Sequence, residues 1–279
     1  MVTRAPETAT LEGQGGLRIF YRWQPAEAAS AVAVVVHGLA EHSGRYGHVF
    51  SALNAAGLDA LGVDLRGHGH SAGTRVYVER FEDYLDDVDT AIAEARRRRP
   101  GVPVFVIGHS MGGLVILHHA LARGANVAGY VASAPGLRNA VVVPGWKDAL
   151  GRVMARVWPK LAIPTGIGPE LLSRDPAVVA AYAADPLVTK TATARWYTSF
   201  VGAQAAALAR AGELRRPLLM LLGEADRLVD PSGGKDFFAA AGVADKTLKT
   251  YPGLFHEVFN EPEQGTVLGD VVDWIGQRR

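Results

Sequence analysis

The chain has no cysteine among its 279 residues. That excludes disulfides, thiolate metal sites and a cysteine nucleophile, and leaves the redox compartment open. It also lacks an excess of charge. Its 29 Lys and Arg stand against 28 Asp and Glu, a formal net charge of +1, so no bulk field points to nucleic acid. Long hydrophobic runs are missing too: the longest apolar stretches are about ten residues, too short to span a bilayer. Met1 to Glu7 show no apolar signal segment, and Val2 is not the glycine that N-myristoylation requires. The default expectation is a soluble cytoplasmic protein. No H-E-x-x-H or comparable ligand cluster occurs, so neither a metal nor a cofactor is expected. No internal repeat or low-complexity linker is present. Apolar residues are plentiful: 48% are hydrophobic, enough for a sizeable core in one large α/β domain or two small ones.

Strand-like and helix-like segments alternate over most of the length. This is the pattern of an α/β fold with a mainly parallel central sheet flanked by helices. Strands are expected at 17–23, 31–36, 58–63, 102–107, 130–134, 218–222 and 246–251, the last more polar and near the sheet edge. Helices are expected at 49–56, 81–99 and 263–275. The second begins acidic and ends in Arg96 to Arg99, which suits the helix dipole. A solvated helix end is therefore a better reading of the arginine run than a nucleic-acid patch. From Pro135 to about Phe200 the alternation fails, and Pro144, Pro159, Pro164, Pro169, Pro176 and Pro186 interrupt the stretch. It is too long for a plain loop. Residues 135–200 read as an inserted helical cap on a core of residues 1–134 and 201–279.

Gly108-His109-Ser110-Met111-Gly112 fits the G-x-S-x-G pattern, with a strand-like run before it and the helix-like Leu114 to Leu117 after it. A strand-to-helix turn this sharp strains the serine backbone and demands small neighbours, which Gly108, Gly112 and Gly113 supply. The serine hydroxyl then points to the top of the sheet, with a helix N-terminus behind it. A serine needs an adjacent base, and the base needs an orienting acid. In such sites the chain order is serine, acid, histidine, with acid and base on loops after strands. Asp226 follows the 218–222 strand and His256 follows the 246–251 strand. Ser110 would attack an acyl carbon, and His256 would take its proton and later protonate the leaving group. Asp226 would hold the imidazole tautomer. Glu224 and Asp230 are near rivals for the acid, and His68 and His70 are rivals for the base. His109 sits inside the elbow and is expected to point away. His118 and His119 lie well into the following helix, where packing is expected. The oxyanion needs backbone donors: the N–H of Met111, and that of Leu39 in the loop after the 31–36 strand.

The run His37-Gly38-Leu39-Ala40-Glu41-His42-Ser43-Gly44-Arg45-Tyr46 resembles the H-G-x-G-E-H-S-G-R-Y signature of monoacylglycerol lipases. Asp64-Leu65-Arg66-Gly67-His68-Gly69-His70-Ser71 resembles their D-x-R-G-H-G-x-S loop. Ser173 to Pro176 and Tyr182 to Leu187 resemble their cap segment, and Tyr251 to Glu263 is similar to bacterial and mycobacterial-type members. The resemblance spans nearly the whole chain, and the first signature is its specific part. It implies an α/β-hydrolase fold with a cap, a Ser110–Asp226–His256 triad, and cleavage of fatty-acid monoesters of glycerol. By motif it places Glu41, Arg45 and Tyr182 near the glycerol end of the pocket. A structural Glu41–Arg45 ion pair and plain cap packing of Tyr182 stand as alternatives. The chain departs at Ala40, where the family commonly has glycine, and the added methyl bears on acyl-length preference.

Within the insertion, Trp146, Leu150, Val153, Met154, Val157, Trp158 and Leu161 share one helical face. Lys147, Arg152, Arg156 and Lys160 fall elsewhere, with only Asp148 against them. A basic helix with tryptophans on its apolar face is one that lies in a membrane interface. An apolar stripe also packs on a core and walls a pocket. Peripheral membrane contact through residues 146–161 therefore stands beside the packed reading. The expected partner is a lipid ester substrate. Lysophospholipase and general carboxylesterase activities use the same triad and are the alternatives. A proline iminopeptidase would need cap acids to hold an amine, and the cap has few: Asp148, Glu170, Asp175 and Asp185 among them. A non-catalytic ligand-binding protein on this scaffold would be expected to lack a triad or oxyanion element, and none is missing.

Overall fold

The structure, a computed structural model, describes residues 6–141 and 143–279. The expectations for residues 1–5, Val2 included, lie outside the described residues. In chain order the strands are β1 (Glu7–Glu12), β2 (Arg18–Gln24), β3 (Ala31–Val36), β4 (Leu58–Val63), β5 (Val104–His109), β6 (Gly129–Ser133), β7 (Ala162–Pro164), β8 (Thr191–Thr193), β9 (Leu218–Gly223) and β10 (Lys246–Tyr251). The helices are α1 (Gly47–Ala55), α2 (Asp83–Arg98), α3 (Met111–Ala122), α4 (Gly145–Val157), α5 (Pro176–Ala184), α6 (Ala194–Arg210), α7 (Pro231–Ala240) and α8 (Gln264–Gly276).

Period-two burial explains the sheet. Along β3, Val32, Val34 and Val36 enter one core, while Ala31, Ala33 and Val35 enter the other. Along β9, Leu218, Met220 and Leu222 alternate with Leu219 and Leu221 in the same way. Strands apolar on both sides need helices on both sides. Leu85 and Val88 of α2 and Leu114 and Leu117 of α3 cover the first face. Phe50 and Leu53 of α1 and Val271 and Trp274 of α8 cover the second. The eight-stranded order is β1-β2-β4-β3-β5-β6-β9-β10, parallel from β4 through β10. β1 and β2 are antiparallel additions at one edge, and half-exposed β10 closes the other.

Several features differ from the expectations, α7 among them, since no helix is expected at 231–240. β1 is an extra strand, and its residues are almost all exposed. It is held by backbone pairing to β2 and carries no apolar signal. The insertion contains a small antiparallel ribbon, β7 with β8, besides its helices. α6 runs through residue 200, where the sequence placed the end of the insertion. Most of the α4 stripe does not pack: Trp146, Leu150, Val153, Val157 and Trp158 are exposed, while Met154 and Leu161 are half-buried. Gly151 and Ala155 are its buried residues, and Tyr197 of α6 lies against Gly151. Trp146, Val157 and Trp158 are 67, 75 and 61% exposed. The arginine run closing α2 is paired: Arg97 and Arg98 with Glu94, Arg99 with Asp59, and Arg96 with the Asn126 carbonyl. Among the described residues, no helix is long and apolar enough to cross a membrane.

The elbow depends on close approach of α3 to the end of β3. A Cβ at Gly112 would lie 2.4 Å from both the Val36 and His37 carbonyl oxygens. Helix propensity favours alanine there by about 1 kcal/mol, but backbone oxygens of a central strand cannot retreat. Gly112→Ala is therefore expected to destabilise the protein by at least about 2 kcal/mol net. The denaturant midpoint checks this, and an unchanged midpoint contradicts it.

Candidate active site

Ser110 stands between β5 and α3 at φ 54° and ψ −116°, a conformation disfavoured for any residue with a Cβ. Such strain costs on the order of 1–3 kcal/mol and persists only where the surroundings over-determine it. Here they do. The Ser110 N–H donates to the Ser133 carbonyl at 2.9 Å, and its own carbonyl accepts from Leu114 N (3.1 Å) and Gly136 N (2.9 Å).

Two loops above the sheet edge converge on the hydroxyl. Asp226 follows β9 and His256 follows β10. Ser110 Oγ lies 2.8 Å from His256 Nε2, and His256 Nδ1 lies 2.7 Å from Asp226 Oδ2. The other Asp226 oxygen accepts from the backbone N–H groups of Leu228 (2.8 Å) and Val229 (2.9 Å), so the carboxylate is fixed by its own loop. Nδ1–H then donates to Asp226, which leaves Nε2 free to accept the serine proton. Both side chains of this ion pair are almost wholly buried. Burial works against the imidazolium, but the Asp226 charge and hydrogen bond, with Glu257 and Glu41 behind them, raise His256 above the ordinary histidine value. The His109 ring lies 4.8 Å from that of His256. Burial and the neighbouring His256 push His109 down to about 4, so it adds no charge at neutral pH.

The 37–46 loop carries a buried ionic network. Glu41 Oε1 accepts from Gly38 N (2.6 Å) and Tyr46 Oη (2.7 Å), while its Oε2 accepts from Arg45 (2.5 Å). Arg45 also binds both oxygens of Glu257, at 2.7 and 2.8 Å, and its guanidinium covers the Tyr182 ring at 4.7 Å. Burial opposes the charge on Glu41, yet Arg45 holds its carboxyl well below the usual range. Ala40 sits at φ 63°, the left-handed region glycine enters freely, and its carbonyl accepts from Thr189 N at 2.8 Å.

These parts meet at a cavity of about 340 Å3. Ser110, Leu39, Met111, His256, Glu41 and Tyr182 line it; Arg45 does not, being enclosed by its two carboxylates. The rivals sit elsewhere. Glu224 faces Lys235, and Asp230 caps α7 through Ser232 N. His68 is buried against His37, while His70 packs on Phe20. His118 bonds the Ala203 carbonyl, and His119 joins Tyr130 to Asp89. Sequence reasoning missed Glu257, whose only signal is adjacency to His256. It also missed the apolar walls, among them Leu172, Trp196, Phe200 and Val229. Trp196 and Phe200, four apart on α6, carry the i, i+4 spacing common to any packed helix, which does not single out a cavity wall. Among the described residues no group of three or more His, Asp or Glu side chains is placed to hold a metal ion.

Histidine-resolved NMR titration tests the electrostatics. His256 is expected to titrate above 6.5, His109 near 4 and His68, which burial and His37 push down, near 3. Asp226→Asn removes the charge that raises His256, so its midpoint should fall. A midpoint that stays put contradicts the assigned cause.

Comparisons with known proteins place the chain in a family. The profile of the family described as serine aminopeptidase, S33, matches residues 27–263. The monoacylglycerol lipase of Mycolicibacterium smegmatis is 37% identical over 277 residues, covering 99% of each chain. The monoglyceride lipase of Homo sapiens is 33% identical over 278 residues, covering 98% of this chain and 90% of that one. Among solved structures, the Paleococcus ferrophilus monoacylglycerol lipase superposes with a TM-score of 0.85 at 32% identity, covering 99% of this chain and all of that one. Identity at this level over whole chains, with a shared overall fold beneath it, is common descent, and the chain belongs to the monoacylglycerol lipase family of α/β-hydrolases.

Proposed function

We propose that this protein is a serine esterase that cleaves monoacylglycerols to fatty acid and glycerol through an acyl-enzyme, with Ser110, His256 and Asp226 as its triad. The observation that carries the reading is the unbroken hydrogen-bonded line Ser110–His256–Asp226 opening into a cavity walled by apolar side chains. Ser110 Oγ bonds to the ester carbon as its proton passes to His256 Nε2. The backbone N–H groups of Leu39 and Met111, both at the cavity wall, receive the oxyanion. The ester C–O bond then breaks, and the Nε2 proton goes to the departing glycerol oxygen. Water, deprotonated by His256 Nε2, then attacks the acyl carbon; the acyl–Oγ bond breaks, the Nε2 proton returns to Ser110 Oγ, and the fatty acid leaves. Asp226 keeps Nδ1 protonated and balances the imidazolium throughout.

Each buried CH2 of an acyl chain contributes roughly 0.8 kcal/mol, so an apolar cavity binds long chains without specific contacts. Residues 135–200 act as the cap over it. Glu41 and Tyr182, at the wall, face the glycerol end, and Arg45 acts there indirectly by orienting Glu41 and Glu257. An aminopeptidase reading is disfavoured, because the two carboxylates at the wall are already bonded to Arg45. The exposed stripe of α4 serves as a membrane-contact face: its tryptophans enter the interface while Lys147, Arg152 and Arg156 meet anionic headgroups.

Two measurements test these assignments. Ser110→Ala should lower turnover of monoacylglycerol by about a millionfold. Wild type should prefer monoacylglycerol when triacylglycerol and lysophosphatidylcholine are offered beside it. Preference for another ester would keep the triad and discard the glyceride. Replacing Trp146 and Trp158 together by Glu should weaken sedimentation with anionic vesicles at least about tenfold and spare turnover of a water-soluble short ester. Unchanged sedimentation would remove the membrane face.

A further inference from the structure

We propose that Glu261, held by Arg174 of the insertion, is a positioning residue for His256. The inner segment of the insertion, residues 172–193, is then part of the frame that aligns the catalytic groups. This rests on the reading of His256 as the base.

His256 lies in the loop after β10, outside any helix or strand, and its carbonyl accepts only a local turn bond from Val258 N at 3.1 Å. The amides on either side of it are both anchored. Phe255 N–H donates to Glu261 Oε1 at 2.8 Å, and Glu257 N–H donates to the Leu172 carbonyl at 2.8 Å. Glu261 is wholly buried. Arg174 satisfies it twice, through Nε to Oε2 at 2.9 Å and through its backbone N to Oε1 at 3.3 Å, and then reaches Glu263 with a further guanidinium nitrogen. Ser173 Oγ donates to the Asn260 carbonyl at 2.9 Å in the same contact. A neutral backbone carbonyl could end such a loop at lower desolvation cost than a buried carboxylate. What the carboxylate adds is a short charge-assisted bond that holds the Phe255 amide plane, and with it the imidazole next along the chain.

The same segment grips the other side of the site. Asp185 Oδ2 lies 2.9 Å from His42 Nε2, and Thr189 N donates to the carbonyl of Ala40, next to Leu39. Residues 172–174 therefore hold the base loop, and residues 185–189 hold the oxyanion loop. The exposed apolar arm, α4, makes neither contact.

The test is kinetics on a short p-nitrophenyl ester, which does not need the acyl cavity, with Ser110→Ala as reference. Glu261→Ala and Arg174→Met should lower kcat by about tenfold to a hundredfold and leave KM within twofold. Glu261→Gln keeps an acceptor for the Phe255 N–H and should recover part of the loss. Phosphonylation of Ser110 by a small fluorophosphonate should slow in parallel, since it too needs Ser110–His256 alignment. A fall in melting temperature with kcat unchanged, or a rise in KM alone, would mean that the pair is merely structural and overturns the proposal. If Glu261→Ala fails to fold, Arg174→Met, altered at a partly exposed position, decides by the same criteria. Activity surviving in Ser110→Ala would instead bring down the reading of the triad.

Discussion

Ser110 keeps its left-handed backbone because its N–H and carbonyl are bonded to three different parts of the fold: the end of β6, the first turn of α3, and Gly136 just after β6. None of these bonds is strong alone, but together they leave the serine no relaxed alternative. They exist only if β6 lies parallel beside β5 and α3 returns tightly over β3. That tight return is where Gly112 meets the Val36 and His37 carbonyls. The sheet order then decides the rest. β9 lies next to β6, and β10 next to β9, so the loops leaving them at the same edge deliver the acid and then the histidine toward the serine.

Charge balance sets a second condition. Asp226, Glu41 and Glu257 all raise His256, which favours the imidazolium that must form. In the proposed mechanism the same negative charge would oppose the oxyanion. Arg45 resolves the conflict by sitting between Glu41 and Glu257 and binding both. Asp226, whose carboxylate partners among the described residues are His256 and the backbone N–H groups of Leu228 and Val229, is left to act on His256. In the proposed mechanism this leaves the Asp226 charge acting on the imidazolium, while the charges of Glu41 and Glu257 are balanced by Arg45.

What could be read from sequence follows from how local each cause is. The elbow, the order of Asp226 and His256 after it, and the central strands rest on short-range patterns, and they stand where the patterns put them. β1 was invisible because an exposed edge strand is held by backbone pairing and has no side-chain periodicity to detect. Glu257 was invisible because its partner, Arg45, is 212 residues away. Arg45 itself was found by motif, yet its enclosure by two carboxylates is a fact of three dimensions. The α4 stripe was legible as a stripe. Which way it faces was not, since periodicity reports that one side is apolar and says nothing of what lies opposite. Here the small residues Gly151 and Ala155 take the packed side, because a helix close to Tyr197 has no room there for tryptophan.

That inversion gives the insertion two halves with different physics. Its inner half is polar at the contact and bonded to both catalytic loops, so moving it would disturb alignment. Its outer half is apolar, exposed and packed mainly on α6. An ester with a long acyl chain has to pass from a lipid phase to Ser110 without exposing that chain to water. Val141 both lines the cavity and lies open to solvent, so the apolar wall continues outward toward the arm that begins with α4. In the proposed mechanism, substrate enters at the outer side of this segment while the inner side holds the loops of His256 and Leu39. On the two proposals made above, entry and alignment fall on different residues of the 135–200 segment, which is why one segment can serve both.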